Sequence, residues 1–233
     1  MQAVLLVGGK GTRLRPYTAV FPKSLLPLGD RPILEVVVRQ LRREGFTELV
    51  MAVGHQHEMF RLFFGDGEKW GVRIRYSLED EPLGTAGPLR RIEGLDENFL
   101  MMNGDLLTDL SYGELFRNHV RHGHPATLAI HRREVRIDYG TLESGEDGRL
   151  LSYTEKPRLH YQVSMGIYVL SRSVLDVVPE DRPFDFPDLV DALLRDGRRV
   201  QCYPYNGYWL DIGRPEDYAI ALEDFDRMKD RLL

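Results

Sequence analysis

Val4-Leu5-Leu6-Val7-Gly8-Gly9-Lys10-Gly11-Thr12-Arg13-Leu14-Arg15-Pro16, near the start of the chain, is the stretch that decides the fold. Four uninterrupted apolar residues read as a strand buried on both faces, and the glycines after it read as a tight turn at the strand's end. The segment runs on through Lys23 to Gly29 without a single Asp or Glu, although the 233-residue chain carries a net charge of -5. Lys10, Arg13, Arg15 and Lys23 therefore make a local cationic patch around backbone N–H groups that a ligand can approach closely. Such a loop suits a polyphosphate.

Outward from this loop, short apolar runs alternate with helical patterns. Ala3–Val7, Leu49–Val53, Val72–Tyr76 and Asn98–Asn103 read as parallel strands. A helix is expected over Pro32–Glu44, with Asp30 as its N-cap, Ile33, Leu34, Val37, Val38 and Leu41 on its apolar face, and Gly45 ending it. Further helices are expected near His57–Phe64, Gly84–Ile92 and Ser111–Arg121. After about Pro125 the pattern turns β-rich, with strands at Ala126–His131, Tyr139–Glu143, Leu150–Glu155 and Gln162–Leu170. Helices return at Phe186–Arg195 and Pro215–Arg231, with strands at Arg199–Tyr203 and Tyr208–Asp211 between them. The alternation predicts an α/β fold: one domain over 1–233, built on a Rossmann-like, mostly parallel sheet. Its strand-helix part covers about 1–124, where the phosphate-suited loop lies, and a smaller β-rich part covers about 125–233.

Composition narrows the function. With 42% hydrophobic and 29% charged residues the chain is of ordinary globular type. No run approaches the roughly 18 apolar residues of a membrane span, and the short N-terminal apolar stretch does not read as a signal peptide. One cysteine, Cys202, allows no internal disulfide and no cysteine-built metal site, which predicts a cytoplasmic protein, and Cys202 itself reads as a small apolar strand residue. The acidic balance argues against nucleic acid as a partner.

Gly9-x-Gly11 after a strand suggests a dinucleotide fingerprint, but Leu14 stands at the third glycine position. No Gly-Lys-Ser/Thr ends the loop, so it is not a P-loop either. Both of those motifs start a helix at once, whereas here roughly twenty residues precede the next helix. That length suits a loop wrapped over a triphosphate, gripped by Arg13 and Lys23.

Gly8-Gly9-x-Gly11-Thr12-Arg13-Leu14-x-Pro16-x-Thr18 and Pro22-Lys23-x-Leu25-Leu26-Pro27 resemble the signature of the sugar-1-phosphate nucleotidylyltransferases. The resemblance continues in order through Glu81–Gly87, Asn103-Gly104-Asp105, Tyr139-Gly140, Glu155-Lys156-Pro157, Gly166-Ile167-Tyr168 and Trp209–Gly213. The Leu83-Gly84-Thr85-Ala86-Gly87 segment is most like that of the mannose- and heptose-phosphate guanylyltransferases.

The resemblance implies a reaction in which an NTP and a sugar 1-phosphate give an NDP-sugar and pyrophosphate. It also implies Mg²⁺ as cofactor and direct in-line attack on the α-phosphorus. Under it, Leu6, Gly8, Gly9, Gly11, Thr12, Gly84 and Thr85 bind the nucleotide, Arg13 holds the departing phosphates and Lys23 stands beside the α-phosphate. Asp105 and Asp211, each ending a strand, hold the metal, and Asp105 counts with Arg13 and Lys23 as catalytic. Tyr139, Gly140, Glu155, Lys156 and Ser164 contact the sugar phosphate, so the resemblance makes about 1–124 the nucleotide-binding part and about 125–233 the sugar-phosphate-binding part. Val163-Ser164-Met165-Gly166 departs from the Asn-containing sequence of relatives, which implies a changed or bulkier sugar.

Glu79 stands where relatives using uridine or thymidine triphosphates often have Gln. A carboxylate accepts from the adjacent N1–H and N2–H of guanine, so GTP is expected. A solvated acidic turn at Glu79-Asp80-Glu81 is the alternative. His119, His122 and His124 read as decoration of a surface helix end rather than a metal site, and His55 and His57 as residues that could line the crevice. Three rivals remain: a UTP- or CTP-dependent relative, a glycosyltransferase, for which Asn103-Gly104-Asp105 lacks the usual second carboxylate, and a non-catalytic sensor, which would lack Lys23 or one of the aspartates. Self-association is left open.

Overall fold

The structure is a computed structural model that describes the 233 residues apart from Lys10, His55, Asp80 and Asp181. In chain order its strands and helices are β1 (Gln2–Leu6), β2 (Pro27–Leu28), β3 (Arg31–Pro32), α1 (Ile33–Arg43), β4 (Glu48–Val53), α2 (His57–Phe64), β5 (Arg73–Leu78), β6 (Asn98–Asn103), β7 (Leu106–Thr108) and α3 (Tyr112–His122). They continue with β8 (Ala126–Arg136), β9 (Thr141–Ser144), β10 (Leu150–Thr154), β11 (Arg158–Ser171), α4 (Phe186–Arg195), β12 (Val200–Tyr205), β13 (Trp209–Asp211) and α5 (Pro215–Leu232).

Seven strands form one sheet in the order β12-β8-β11-β6-β1-β4-β5. All run the same way except β11, which is antiparallel to both β6 and β8. The expected mostly parallel α/β sheet is the observed one. Its central strands are apolar throughout because both faces are covered. Ala3, Leu5, Met51, Leu100 and Met102 pack under α1, α2 and α3, while Val4, Val50, Phe99 and Met101 pack under α4. Full burial of each Val, Leu, Phe or Met among them contributes about 1.5–3 kcal/mol. A third cluster joins Leu14, Leu26, Leu28 and Ile33 to Leu107, Ile212, Tyr218 and Phe225, so α5 clamps the N-terminal loop to the end of the sheet.

Several local expectations are corrected. Asp30 does not cap α1; Pro32 occupies that position without a side-chain bond. The first helical N–H, that of Ile33, is already taken by the Leu26 carbonyl at 3.0 Å, and Asp30 turns instead to Arg31. The helix expected over 84–92 shrinks to a 3-10 turn at Gly87–Arg91, because the N–H groups of Ala86 and Gly87 both go to the Phe184 carbonyl. Strands β8 and β11 extend beyond their expected ends and pair from Arg158↔Arg136 inward, with a register break between Ser164 and Tyr168. Strands β9 and β10 form a separate hairpin in which β10 is exposed throughout. Cys202 lies on β12 as expected for a strand residue, but is exposed rather than in the core.

Candidate active site

The sheet changes direction of growth at β1. Strands β4 and β5 lie on one side and β6 on the other, so the carboxyl ends of β1 and β6 open onto one crevice, the usual ligand position in an open α/β sheet. Leu6 is in register with Asn103, and the Leu6 carbonyl accepts the N–H of Gly104 at 3.0 Å. That bond fixes where the next residue, Asp105, leaves the sheet.

Asp211 arrives by a different route. β13 pairs antiparallel with β7, which sets Asp211 opposite Leu106, and Ile212 donates to the Asp105 carbonyl at 3.2 Å. Lys23 completes the group, its Nζ lying 2.5 Å from Asp105 Oδ2 and 4.0 Å from Asp211 Oδ1. Burial raises the pKa of the Asp211 carboxyl, the nearby Asp105 raises it further, and Lys23 and Arg13 pull the other way. Asp105 Oδ1 is buried and has no hydrogen-bond partner among the described residues.

Local sequence explains the placement of Lys23. Pro22 precedes a 3-10 turn over Lys23–Leu25, closed by Leu25 N–H to the Pro22 carbonyl and Leu26 N–H to the Lys23 carbonyl. Gly11 has φ +58° and receives the Thr18 hydroxyl on its carbonyl at 2.6 Å. A Cβ there would stand 3.0 Å from Thr18 Cγ2 and 3.3 Å from Lys23 Cβ, so only glycine lets the loop fold this closely onto the lysine. Tyr218 on α5 ties down the same loop by donating to the Pro27 carbonyl at 2.7 Å.

Arg13 lines an open cleft of about 560 Å³ with Asp211, Trp209, His131, Arg132 and Arg214 among its other walls. The structure thus gathers Arg13, Lys23, Asp105 and Asp211. His131 Nδ1 lies 3.0 Å from the Tyr205 carbonyl, which can only accept, so that nitrogen is the donor. The indole of Trp209 donates to the Met165 carbonyl at 3.0 Å. Sequence reasoning missed His131, Arg132, Trp209 and Arg214 as cleft residues; the basic pair Arg132-Arg133 after an apolar strand was the available signal.

Glu79 stands beside the glycine turn. Its N–H bonds the Val53 carbonyl at 2.9 Å, its Oε2 accepts from Leu83 N–H at 3.3 Å, and its Oε1 is 3.6 Å from where a Cβ on Gly8 would lie. Burial pushes its carboxyl pKa up. A Cβ on Gly9 would meet nothing within 4 Å, and Thr12, itself exposed, begins a 3-10 turn. Thr85, next to Gly84, is tied to the start of α4, its N–H to Asp185 Oδ1 at 3.0 Å and its Oγ1 accepting from Phe186 N–H at 2.7 Å.

The other sugar-side residues are not gathered here. Tyr139, Gly140, Glu155 and Lys156 flank the β9–β10 hairpin, where the Tyr153 hydroxyl donates to Glu155 at 2.6 Å. Among the described residues no ion pair joins Glu155 or Lys156 to the Lys23 group. Ser164 lies closer, in the β11 irregularity, its Oγ 2.9 Å from the Tyr168 hydroxyl. Gly166 there has φ +72°, and a Cβ would come within 2.7 Å of Asn103 Nδ2, so this bend presses on the strand that delivers Asp105. The expectations placed on Lys10, His55 and Asp80 fall outside the described residues.

His119 is a correction. It lies in the core, with Nδ1 2.9 Å from Thr127 Oγ1 and Nε2 3.0 Å from Asn98 Oδ1, and burial lowers its pKa to about 4. Among the described residues no three His, Cys, Asp or Glu side chains form a metal cluster, and no helix is long and apolar enough to cross a membrane.

The family model for nucleotidyl transferases matches residues 2–227. Probable mannose-1-phosphate guanylyltransferase 2 of Oryza sativa subsp. japonica is 35% identical over 231 residues, covering 95% of this chain and 64% of its own. The UTP--glucose-1-phosphate uridylyltransferase of Synechocystis sp. is 32% identical over 246 residues, covering 95% of this chain and 62% of its own. This chain therefore spans a little under two thirds of the length of those curated relatives. Among solved structures, HddC from Yersinia pseudotuberculosis superposes with a TM-score of 0.74 at 25% identity, over 96% of this chain and 99% of that one.

Proposed function

The chain belongs to the nucleotidyl transferase family, and from that premise we propose that it is an enzyme that joins an NTP, preferentially GTP, to a sugar 1-phosphate of mannose or heptose type. The products are an NDP-sugar and pyrophosphate. The observation that carries the reading is the convergence of Arg13, Lys23, Asp105 and Asp211 at the switch point of the sheet. A phosphate oxygen of the sugar phosphate attacks the α-phosphorus, a new P–O bond forms, and the bond to the β-phosphate breaks with its electron pair leaving on pyrophosphate. No protein nucleophile takes part. Catalysis is positioning and charge stabilisation, with Lys23 beside the α-phosphate and Arg13 on the leaving phosphates.

Asp105 and Asp211 fit a divalent cation, in our reading Mg²⁺. The buried, unpartnered Oδ1 of Asp105 is an acceptor without a donor, and two hard carboxylate donors suit an ion that keeps water and phosphate as its remaining ligands. When bound, such an ion neutralises phosphate charge. Leu6, Gly8, Gly9, Gly11, Thr12, Gly84 and Thr85 frame the nucleotide, and Glu79, beside Gly8, reads the guanine edge. Ser164 and the hairpin residues Tyr139, Gly140, Glu155 and Lys156 serve the sugar phosphate. A reducing cytoplasm accords with the unpaired Cys202.

The relatives named as mannose-1-phosphate guanylyltransferases favour GTP and mannose 1-phosphate. The uridylyltransferase relative favours UTP as the alternative. Pyrophosphate release measured with each of four NTPs, crossed with a panel of sugar 1-phosphates, tests both. Turnover is expected to be fastest with GTP; release with no NTP and sugar phosphate pair overturns the enzymatic reading.

A further inference from the structure

A second cationic concavity lies between α1 and the turn that leads into β5, and it shares no lining residue with the cleft. Arg31, Arg39, Arg42, Arg43, Trp70 and Leu233 line an open hollow of about 290 Å³. Arg39, Arg42 and Arg43 stand at i, i+3 and i+4 on α1 and so share one side of the helix. Trp70 ends the short 3-10 turn Glu68–Trp70.

The charges there do not cancel. Glu35 pairs with Arg39 at 2.8 Å and Arg31 at 3.8 Å, and Asp30 pairs with Arg31 at 2.8 Å. Arg42 and Arg43 have no ion-pair partner among the described residues, and no carboxylate side chain lines the cavity. Lys69 adds a further cation over the Trp70 ring at 4.8 Å, with Arg39 also over that ring at 5.4 Å and Phe63 stacked at 5.9 Å.

Basic residues in a last helical turn offset the helix dipole, which accounts for Arg42 and Arg43 taken singly. It does not account for four guanidinium groups around one concavity. Trp70 Nε1–H, in a residue beside that concavity, is buried with no acceptor among the described residues. A buried donor left unpaired costs about 1–3 kcal/mol. An acidic chain has thus kept a hollow in which two of four guanidinium groups have no ion-pair partner among the described residues.

We propose that this hollow is a second oxyanion site, specific for phosphate-class anions and separate from the catalytic cleft. Guanidinium forks match phosphate oxygens two at a time, and their flexible stems can close on an ion from several sides. The volume falls just below the ~300 Å³ at which small-molecule pockets begin, which fits inorganic phosphate or pyrophosphate rather than a whole nucleotide sugar.

Trp70 reports its own site. The chain has two tryptophans, so a Trp209→Phe protein leaves Trp70 as the single emitter. Inorganic phosphate and pyrophosphate are titrated in separate arms against chloride at matched ionic strength. A saturable change in Trp70 emission is expected in at least one arm, and the arm that responds at lower concentration identifies the preferred ion. Arg42→Ala/Arg43→Ala on the same background is expected to weaken the response at least about tenfold, and Arg42→Lys/Arg43→Lys by less, since charge is kept and only the fork is lost. Both arginines are exposed, and an unchanged far-UV circular dichroism spectrum verifies the fold. In the unaltered protein, phosphate is expected to raise the thermal midpoint, and to lose that effect in the double-alanine variant. A response no larger than chloride gives, or one equal in the double-alanine variant, overturns the site. So does a pyrophosphate response that survives Arg42→Ala/Arg43→Ala and vanishes in Lys23→Ala, because it then belongs to the cleft.

Discussion

Ile212 donates its backbone N–H to the carbonyl of Asp105 at 3.2 Å, and through that bond two carboxylates 106 positions apart become neighbours. The β7–β13 ladder continues the pairing, with Asp211 opposite Leu106 and Leu210 opposite Leu107. Ile212 and Leu107 are both fully buried in the cluster that also holds Leu14 and Leu26. Apolar packing therefore sets the distance between charges. Leu14 draws Arg13 to the cleft, Leu26 and its turn draw Lys23, and Ile212 draws Asp211. The Lys23 ammonium faces both carboxylates there, and Arg13 is near enough to Asp211 to pull its pKa down.

Asp105→Asn and Asp211→Asn each remove one negative donor from this pair. Each is expected to raise the Mg²⁺ concentration needed for half-maximal pyrophosphate release by about tenfold or more, consistent with hard-cation binding by few carboxylates. Asp211→Asn should have the milder effect, because Asp211 is half exposed and Lys23 lies closer to Asp105. Metal titrations that superpose on the unaltered protein in both variants would remove the shared site.

Lys23→Ala should leave the fold intact, since the side chain contributes an ion pair at a cleft rather than core packing. Removing a donor to charge that develops in the transition state costs on the order of 10² to 10³ in rate. The expected result is a folded protein, with unaltered circular dichroism, whose kcat for pyrophosphate release falls by that factor. Near-normal turnover would cancel the role given to Lys23.

The residues that proved easiest to read are those whose chemistry is local. The apolar run of β1, the acid-free glycine loop and the strand-helix alternation all express short-range preferences, and each lies where periodicity puts it. Asp105 was legible because a carboxylate following a buried strand falls at the crevice. The position of Asp211 beside it rests on β7, a three-residue strand too short to carry a period. His119 was misread because a histidine in a helix end has the same sequence signature whether it faces solvent or, as here, Thr127 and Asn98. The helix expected at 84–92 gave way to tertiary bonding, its N–H groups being claimed by Phe184 and Asp185. For the wall shared with Arg13, Arg132 had only the basic pair Arg132-Arg133 as a cue, and Arg214 had none.

Glu79→Gln tests the base preference. The carboxylate of Glu79 has one oxygen engaged by Leu83 N–H and the other near Gly8, and a neutral amide there would present a donor as well as an acceptor. Against guanine, whose N1–H and N2–H both donate, the amide loses one bond. A loss of one such hydrogen bond to a charged group, about 1.5–3 kcal/mol, corresponds to roughly ten- to hundredfold in discrimination. The ratio of kcat/KM for GTP over UTP is expected to fall by that amount, and an unaltered ratio would end the assignment.

His119 should impose a pH dependence on stability that has nothing to do with the cleft. Asn98 Oδ1 accepts from Nε2, so the proton of the neutral ring sits there, and Nδ1 accepts from the Thr127 hydroxyl. Protonating Nδ1 would break that bond and place a charge among buried groups, which is why the folded pKa lies near 4 against 6.5 for the free side chain. Between those values the unfolded chain binds more protons than the folded one, so stability is full above about pH 6.5 and falls as the pH drops toward 4. The loss from this group amounts to at most about 3 kcal/mol. His119→Gln should be less stable near neutrality by about 1–3 kcal/mol, having lost part of the network. Urea unfolding followed across the window should show a shallower decline with falling pH in the variant than in the unaltered protein, since only the histidine titration is removed. Parallel declines in the two proteins would mean that another group, and not His119, sets the slope.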